Sequence, residues 1–166
     1  MSPWSAHDMM DLWEHGQAQH PLERALTILR AGSPTSDRQS LARLDIGQRD
    51  ARLLEVQEAV FGSKLRGLVV CPQCSERLEF DVATTVLRSS APSNGAMEFT
   101  LSAHGVSLRF RLPDSFDLAA IAGMADTERA KRLLVSRCVL EARREDQTVD
   151  PASLPAEAIE ALGARM

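Results

Sequence analysis

Tyrosine is missing from these 166 residues, and the aromatic side chains amount to two Trp and five Phe. A surface that binds single-stranded nucleic acid interleaves stacking rings with basic residues, and that combination is not present. Charge of one sign is lacking too. Nineteen basic residues stand against 23 acidic ones, a formal charge of −4, so no field invites a polyanion. Lysine is limited to Lys64 and Lys131. Arginine carries the remaining positive charge, which suits bidentate and interface pairing but also follows from coding bias. No run approaches the roughly 18 apolar residues of a membrane span. The N-terminus leads from Met1-Ser2-Pro3-Trp4 into Asp8 and Asp11, unlike a basic-then-apolar signal. Three cysteines, an odd number, argue against a disulfide framework and for a reducing compartment, so the chain reads as cytoplasmic. There is no G-x-S-x-G, no H-E-x-x-H, no Gly-rich phosphate loop and no G-x-G-x-x-G, so catalysis finds no motif.

What the sequence does contain is patterned apolar residues, 44% of the whole, enough for a real core. Ser5 is placed to cap a first helix carrying Met9, Met10, Leu12 and Trp13. Pro21, preorganised for a first helical position, opens a second helix through Leu22, Ala25, Leu26 and Leu29 to Gly32. After a Ser33–Asp37 loop, a third helix is expected from about Gln48 to Phe61, with Leu53, Val56 and Val60 on one stripe and Gly62 as its stop. The period then changes to two. Leu68-Val69-Val70 and the alternating Leu78, Phe80 and Val82 predict a β-hairpin with one buried face. A breaker-rich stretch, Ser89–Gly95, precedes a second hairpin. There Phe99 and Leu101 face Val106, Leu108, Phe110 and Leu112 across a His104-Gly105 turn, while Ser107, Arg109 and Arg111 point away, to solvent or a partner.

Helix is expected again after Pro113, first a short segment ending at Gly123. A longer helix capped by Asp126 should run to about Arg143, with Ala130, Leu134 and Cys138 four apart and Leu133 and Leu140 seven apart. In that reading Arg143-Arg144 closes a helix C-terminus, and the acidic residues lie on solvated helix faces. A last helix carries Ile159, Leu162 and Met166 on one face, a plausible docking element, as is the N-terminal Trp/Met segment. For Trp4 and Trp13 a core position and an exposed interface patch both remain open. The order helices, hairpins, helices lacks βαβ alternation and predicts an α+β fold: small antiparallel hairpins packed by N- and C-terminal helices. One domain is expected over 1–166, with a helical part over 1–62, two hairpins over 65–112 and a helical part over 114–166.

The chemistry concentrates in Cys71-Pro72-Gln73-Cys74. A redox pair would place the first thiol at a helix N-terminus, but the residues that follow alternate like a strand. A zinc knuckle is a C-x-x-C turn between two short strands, so Cys71 and Cys74 read as half of a structural zinc site, since a closed site takes four ligands. A degenerate knuckle without metal is the plain alternative. Cys138 sits on an apolar helical stripe, where cysteine behaves as a small hydrophobe. His104 reads as a turn residue, and His7, His15 and His20 as exposed.

Several segments taken in order carry a resemblance: His20–Leu26, Gly47–Leu54, Phe61–Leu65, Cys71–Phe80 and Leu134–Leu140. Together they resemble the baseplate proteins of contractile phage tails and contractile injection systems, of the hub assembly chaperone type, over about Trp13 to Met166. The resemblance implies a non-enzymatic role in building or forming a baseplate, with other baseplate, hub or spike proteins as partners and no nucleic acid or membrane. It also implies that longer relatives continue past the Glu157–Met166 helix into a second C-P-x-C, which makes zinc binding by Cys71 and Cys74 conditional on ligands from elsewhere. A zinc-ribbon-like module serving nucleic acid or transcription, and a thiol oxidoreductase, are the alternatives that C-P-Q-C alone allows.

Overall fold

The computed structural model describes residues 4–88, 98–145 and 147–166. The breaker-rich Ser89–Gly95 stretch lies outside the described residues. The fold is α+β, with helices and two small antiparallel sheets, one of two strands and one of four. The chain divides into two compact units, Met1–Leu41 with Gly47–Ala91, and Ala42–Ile46 with Pro92–Met166. The two hairpins fall in different units.

The first unit starts with α1 (Ala6–Gln17), entered through a capping box. Ser5 Oγ accepts the Asp8 N–H, and the Asp8 carboxylate accepts the Ser5 N–H at 2.9 Å. Helix α2 (Pro21–Gly32) follows, with Pro21 in its first turn and His20 Nδ1 accepting the Leu22 N–H. A short α3 (Arg38–Ala42), which no periodicity announced, precedes α4 (Ile46–Phe61). Helices α2 and α4 approach closely at Gly32, where a Cβ would lie 2.5 Å from the Val56 side chain. Leu26, Leu29 and Val56 are buried. Gly62, at φ +89°, ends α4 in a conformation that other residues adopt only with strain.

Strands β1 (Lys64–Val70) and β2 (Arg77–Ala83) then form the expected hairpin in a two-stranded sheet, followed by the one-turn α5 (Thr84–Leu87). Thr84 Oγ1 and the Arg88 guanidinium both reach the Glu58 carboxylate, tying this end of the hairpin to α4. The expectation of one buried face is overturned. Leu68, Val69, Val70, Leu78 and Phe80 are all exposed, Leu68 at 58% and Phe80 at 47%. Alternation divides β2 as predicted, Leu78 and Phe80 against Arg77 and Glu79, but in β1 Leu68 and Val70 fall on the charged face opposite Glu79 and Arg77, and no described layer covers either face.

In the second unit β3 (Phe99–Ala103) and β4 (Val106–Phe110) pair in the predicted register, Phe99 opposite Phe110 and Leu101 opposite Leu108. His104 and Gly105 both have positive φ, as a tight two-residue hairpin turn requires. Helix α6 (Ser115–Ile121) has a capping box made by Asp114 and Asp117. Helix α7 (Thr127–Cys138) begins at its Asp126 cap but stops five residues short of Arg143. Val139–Arg144 is strand β5, paired antiparallel with β4, and Arg143 and Arg144 pair in turn with β6 (Gln147–Thr148). Arg143-Arg144 therefore closes no helix. The reason is non-local: β4 offers a free edge, and Val139 and Ala142 gain burial by pairing there.

A 3₁₀ turn (Pro151–Ser153) and α8 (Ala156–Arg165) complete the unit. Ile159 and Leu162 join Val106, Leu108, Phe110, Val135, Val139, Ala142 and Leu154 in one buried cluster, with Met166 packed against it. The α8 face is thus core, and the expectation of a docking element there is overturned.

Candidate functional site

The C-P-Q-C turn joins β1 to β2, so a strand follows it and no helix N-terminus faces Cys71. The ladder extends one step beyond β1, with the Cys71 N–H donating to Glu76 O at 2.8 Å. The turn closes as the Ser75 N–H donates to Cys71 O at 2.9 Å, with Ser75 itself at φ +60°. Backbone N–H groups of Cys74 and Gln73 donate to the Cys71 sulfur and hold its thiol below the ordinary cysteine range. Oriented amides favour a thiolate, the form that binds metal. Cys74 is exposed, and its sulfur lies 3.9 Å from Glu76 Oε2. Among the described residues no three His, Cys, Asp or Glu side chains converge as a metal site would need.

The other sequence candidates lie apart from such chemistry. Cys138 is fully buried at the end of α7. Burial, then the neighbouring Asp117 charge, pushes its thiol up to about 12, so it stays protonated and behaves as core. His104 is an exposed turn residue. His7 sits 3.5 Å from Asp11, His15 Nδ1 hydrogen-bonds Asp11 O at 2.8 Å, and His20 caps α2.

Two apolar surfaces of the first unit stand open. One is a groove of about 580 Å³ between helices, lined by Trp4, Met9, Leu12, Trp13, Ile28, Val60 and Phe61. Trp13 is 68% exposed and Phe61 76%, which favours the interface reading of the N-terminal Trp/Met segment. Arg24 lines the groove with its stem, while its guanidinium donates to the carbonyls of Gly16, Gln17 and Gln19. The other surface is the uncovered hairpin face described above.

Periodicity gave no sign of the ionic centre of the second unit. Asp117, expected on a solvated face, is completely buried. Arg111 grips it with two bonds of 2.6 and 3.0 Å, Arg137 Nε adds one of 2.9 Å, and the Asp114 N–H one of 3.0 Å. Arg111 is therefore committed to this ion pair rather than to a partner, with only part of its side chain left in solvent. Burial works to raise the Asp117 carboxyl, but the Arg111 bonds, the Asp114 amide and Arg137 outweigh it and hold it at about 2. Asp114 extends the network to Arg43 at 3.1 Å, whose guanidinium lies 4.7 Å from the Phe116 ring centre. Every carboxylate oxygen here has a fixed donor, the arrangement of a structural brace. The i, i+3 acidic pair ahead of an apolar helix was its only visible signal.

No helix among the described residues is long and apolar enough to cross a membrane. No curated protein and no solved structure matches the chain. Residues 11–165, nearly the whole length and both units, match a single family. The chain belongs to the family of the T4 bacteriophage base plate protein.

Proposed function

We propose that this base plate component works by protein–protein contact rather than catalysis, as an assembly or hub chaperone of a contractile phage tail or related injection system. The observation that carries this is the open groove of the first unit, with Trp13 and Phe61 on its rim. Exposed Trp, Phe and Met in one depression are the composition of an interface core, and such residues dominate binding energy where they are covered. Base plate, hub or spike proteins are the partners, met in the cytoplasm during assembly or in the particle. Neither nucleic acid nor membrane is among them, in keeping with the −4 charge.

The Cys71/Cys74 knuckle serves as a structural half-site for zinc. Its residues fit the group: two thiols in one turn, with amides aimed at Cys71, suit two corners of a tetrahedron. The remaining ligands come from beyond this one chain's described residues. A strand rather than a helix after the turn weighs against thiol oxidoreductase chemistry, and the acidic balance weighs against a nucleic-acid module.

Binding of the purified chain to separately purified base plate, hub and spike proteins tests the reading. At least one should bind, and Trp13→Glu should weaken that complex by about tenfold or more without altering the fold. Failure to bind any of them would count decisively against it.

A further inference from the structure

The hairpin β1/β2 presents its open apolar face and its two thiols on one continuous surface. Pairing places Leu65 opposite Val82, Gly67 opposite Phe80 and Val69 opposite Leu78. Strand alternation sets Cys71 next in that row, since its N–H continues the ladder to Glu76. The Phe80 ring lies over Gly67, within 3 Å of where a Cβ would stand, so the middle of the row is a broad aromatic surface. Charge is confined to the opposite face, where Lys64, Arg66, Arg77, Glu79 and Asp81 share the surface with Leu68 and Val70. We propose that a second copy of this chain covers the apolar row, and that one zinc ion joins the two hairpin tips through Cys71 and Cys74 of each copy. The proposal rests on the zinc half-site reading given above.

Three observations favour a second copy as the occupant. A closed structural zinc site takes four ligands, and among the described residues no three His, Cys, Asp or Glu side chains converge here, Glu76 approaching Cys74 alone. A two-fold axis through the metal supplies the missing pair as a duplicate of the first. The same axis sets equivalent residues against one another, which like charges would oppose, and the row from Leu65 and Val82 to Val69 and Leu78 carries none. Finally, the five side chains of this row on a two-stranded ribbon fall short of the roughly 1,200 Å² that a stable interface buries. The apolar contact alone is therefore too small, and association must depend on the metal. On binding, four thiols each form a bond from sulfur to Zn²⁺ and release their protons to solvent, with no change of oxidation state.

Zinc titration of the purified full chain, kept reduced by a phosphine, tests this through light-scattering mass and zinc content. The expected result is a doubled mass at about one zinc per two chains, reversed by EDTA. Cys74→Ser should stay monomeric with an unchanged circular dichroism spectrum. Val69→Glu, which keeps both thiols, should raise the zinc concentration needed for dimerisation at least about tenfold. A monomer holding about one zinc per chain would overturn the second copy while leaving the half-site reading intact. Zinc taken up only after a base plate protein is added would do the same. No zinc uptake under any condition would overturn both, and a dimer that survives EDTA and Cys74→Ser would overturn the metal bridge.

Discussion

Two hairpins with the same period-two pattern meet opposite fates in this molecule. In β3/β4 the inward row of Val106, Leu108 and Phe110 is almost wholly inaccessible to solvent, covered by α7, α8 and the 3₁₀ turn and extended by β5. In β1/β2 an equally apolar row, Val69, Leu78 and Phe80, remains about half exposed. Alternation reports that a strand has two unlike faces, and it is silent on what covers either of them. One hairpin is the centre of a core. The other is an apolar face that no described layer covers.

The contrast can be broken from its strong side first. Phe110→Ala removes a fully buried ring stacked near Phe99, and should cost about 3–5 kcal/mol in denaturant unfolding. Asp117→Asn leaves Arg111 and Arg137 without their shared carboxylate, at a cost of about 2–3 kcal/mol, moderated because both arginines reach solvent. The pH dependence has a definite sign. The Asp117 carboxyl is held at about 2, below its ordinary value, so its contribution is full above about pH 4 and fades as pH falls towards about 2. Acid unfolding of the second unit should therefore steepen across that window, and Asp117→Asn should flatten it, as followed by circular dichroism. Smallest of the three, Phe80→Ala should change monomer stability by no more than about 1 kcal/mol, since it strips an exposed ring from above Gly67. A loss comparable to that of Phe110→Ala would mean that the first hairpin face is packed after all.

Local signals carried the parts of the fold that local physics decides. Ser5 at the start of α1, Pro21 at the start of α2, Gly62 after α4 and the His104-Gly105 turn are all where their chemistry places them. Strand β5 was illegible because Ala130, Leu134 and Cys138 keep helical spacing up to the boundary, and only the free edge of β4 makes Val139 extend. The buried Asp117 was hidden for a related reason: Arg111 and Arg137 approach it from separate elements, and neither is periodic with it. At the candidate site, the knuckle and its strand context could be read from spacing. The groove could not, because Trp13, Ile28 and Phe61 come from three separate helices, with Trp4 ahead of the first, and no single stretch encodes their packing.

The fully enclosed Cys138 has a consequence for how the molecule can be watched. Its sulfur sits against the Asp117 carboxylate with its proton held to about pH 12, so an alkylating reagent finds neither access nor a thiolate. Cys71 and Cys74, in the turn between β1 and β2, are both within reach, and the amides aimed at Cys71 favour its thiolate. Mass spectrometry of pulse-labelled protein thus reads two clocks in one chain: prompt modification at the turn, and a delayed third adduct that counts each opening of the second unit.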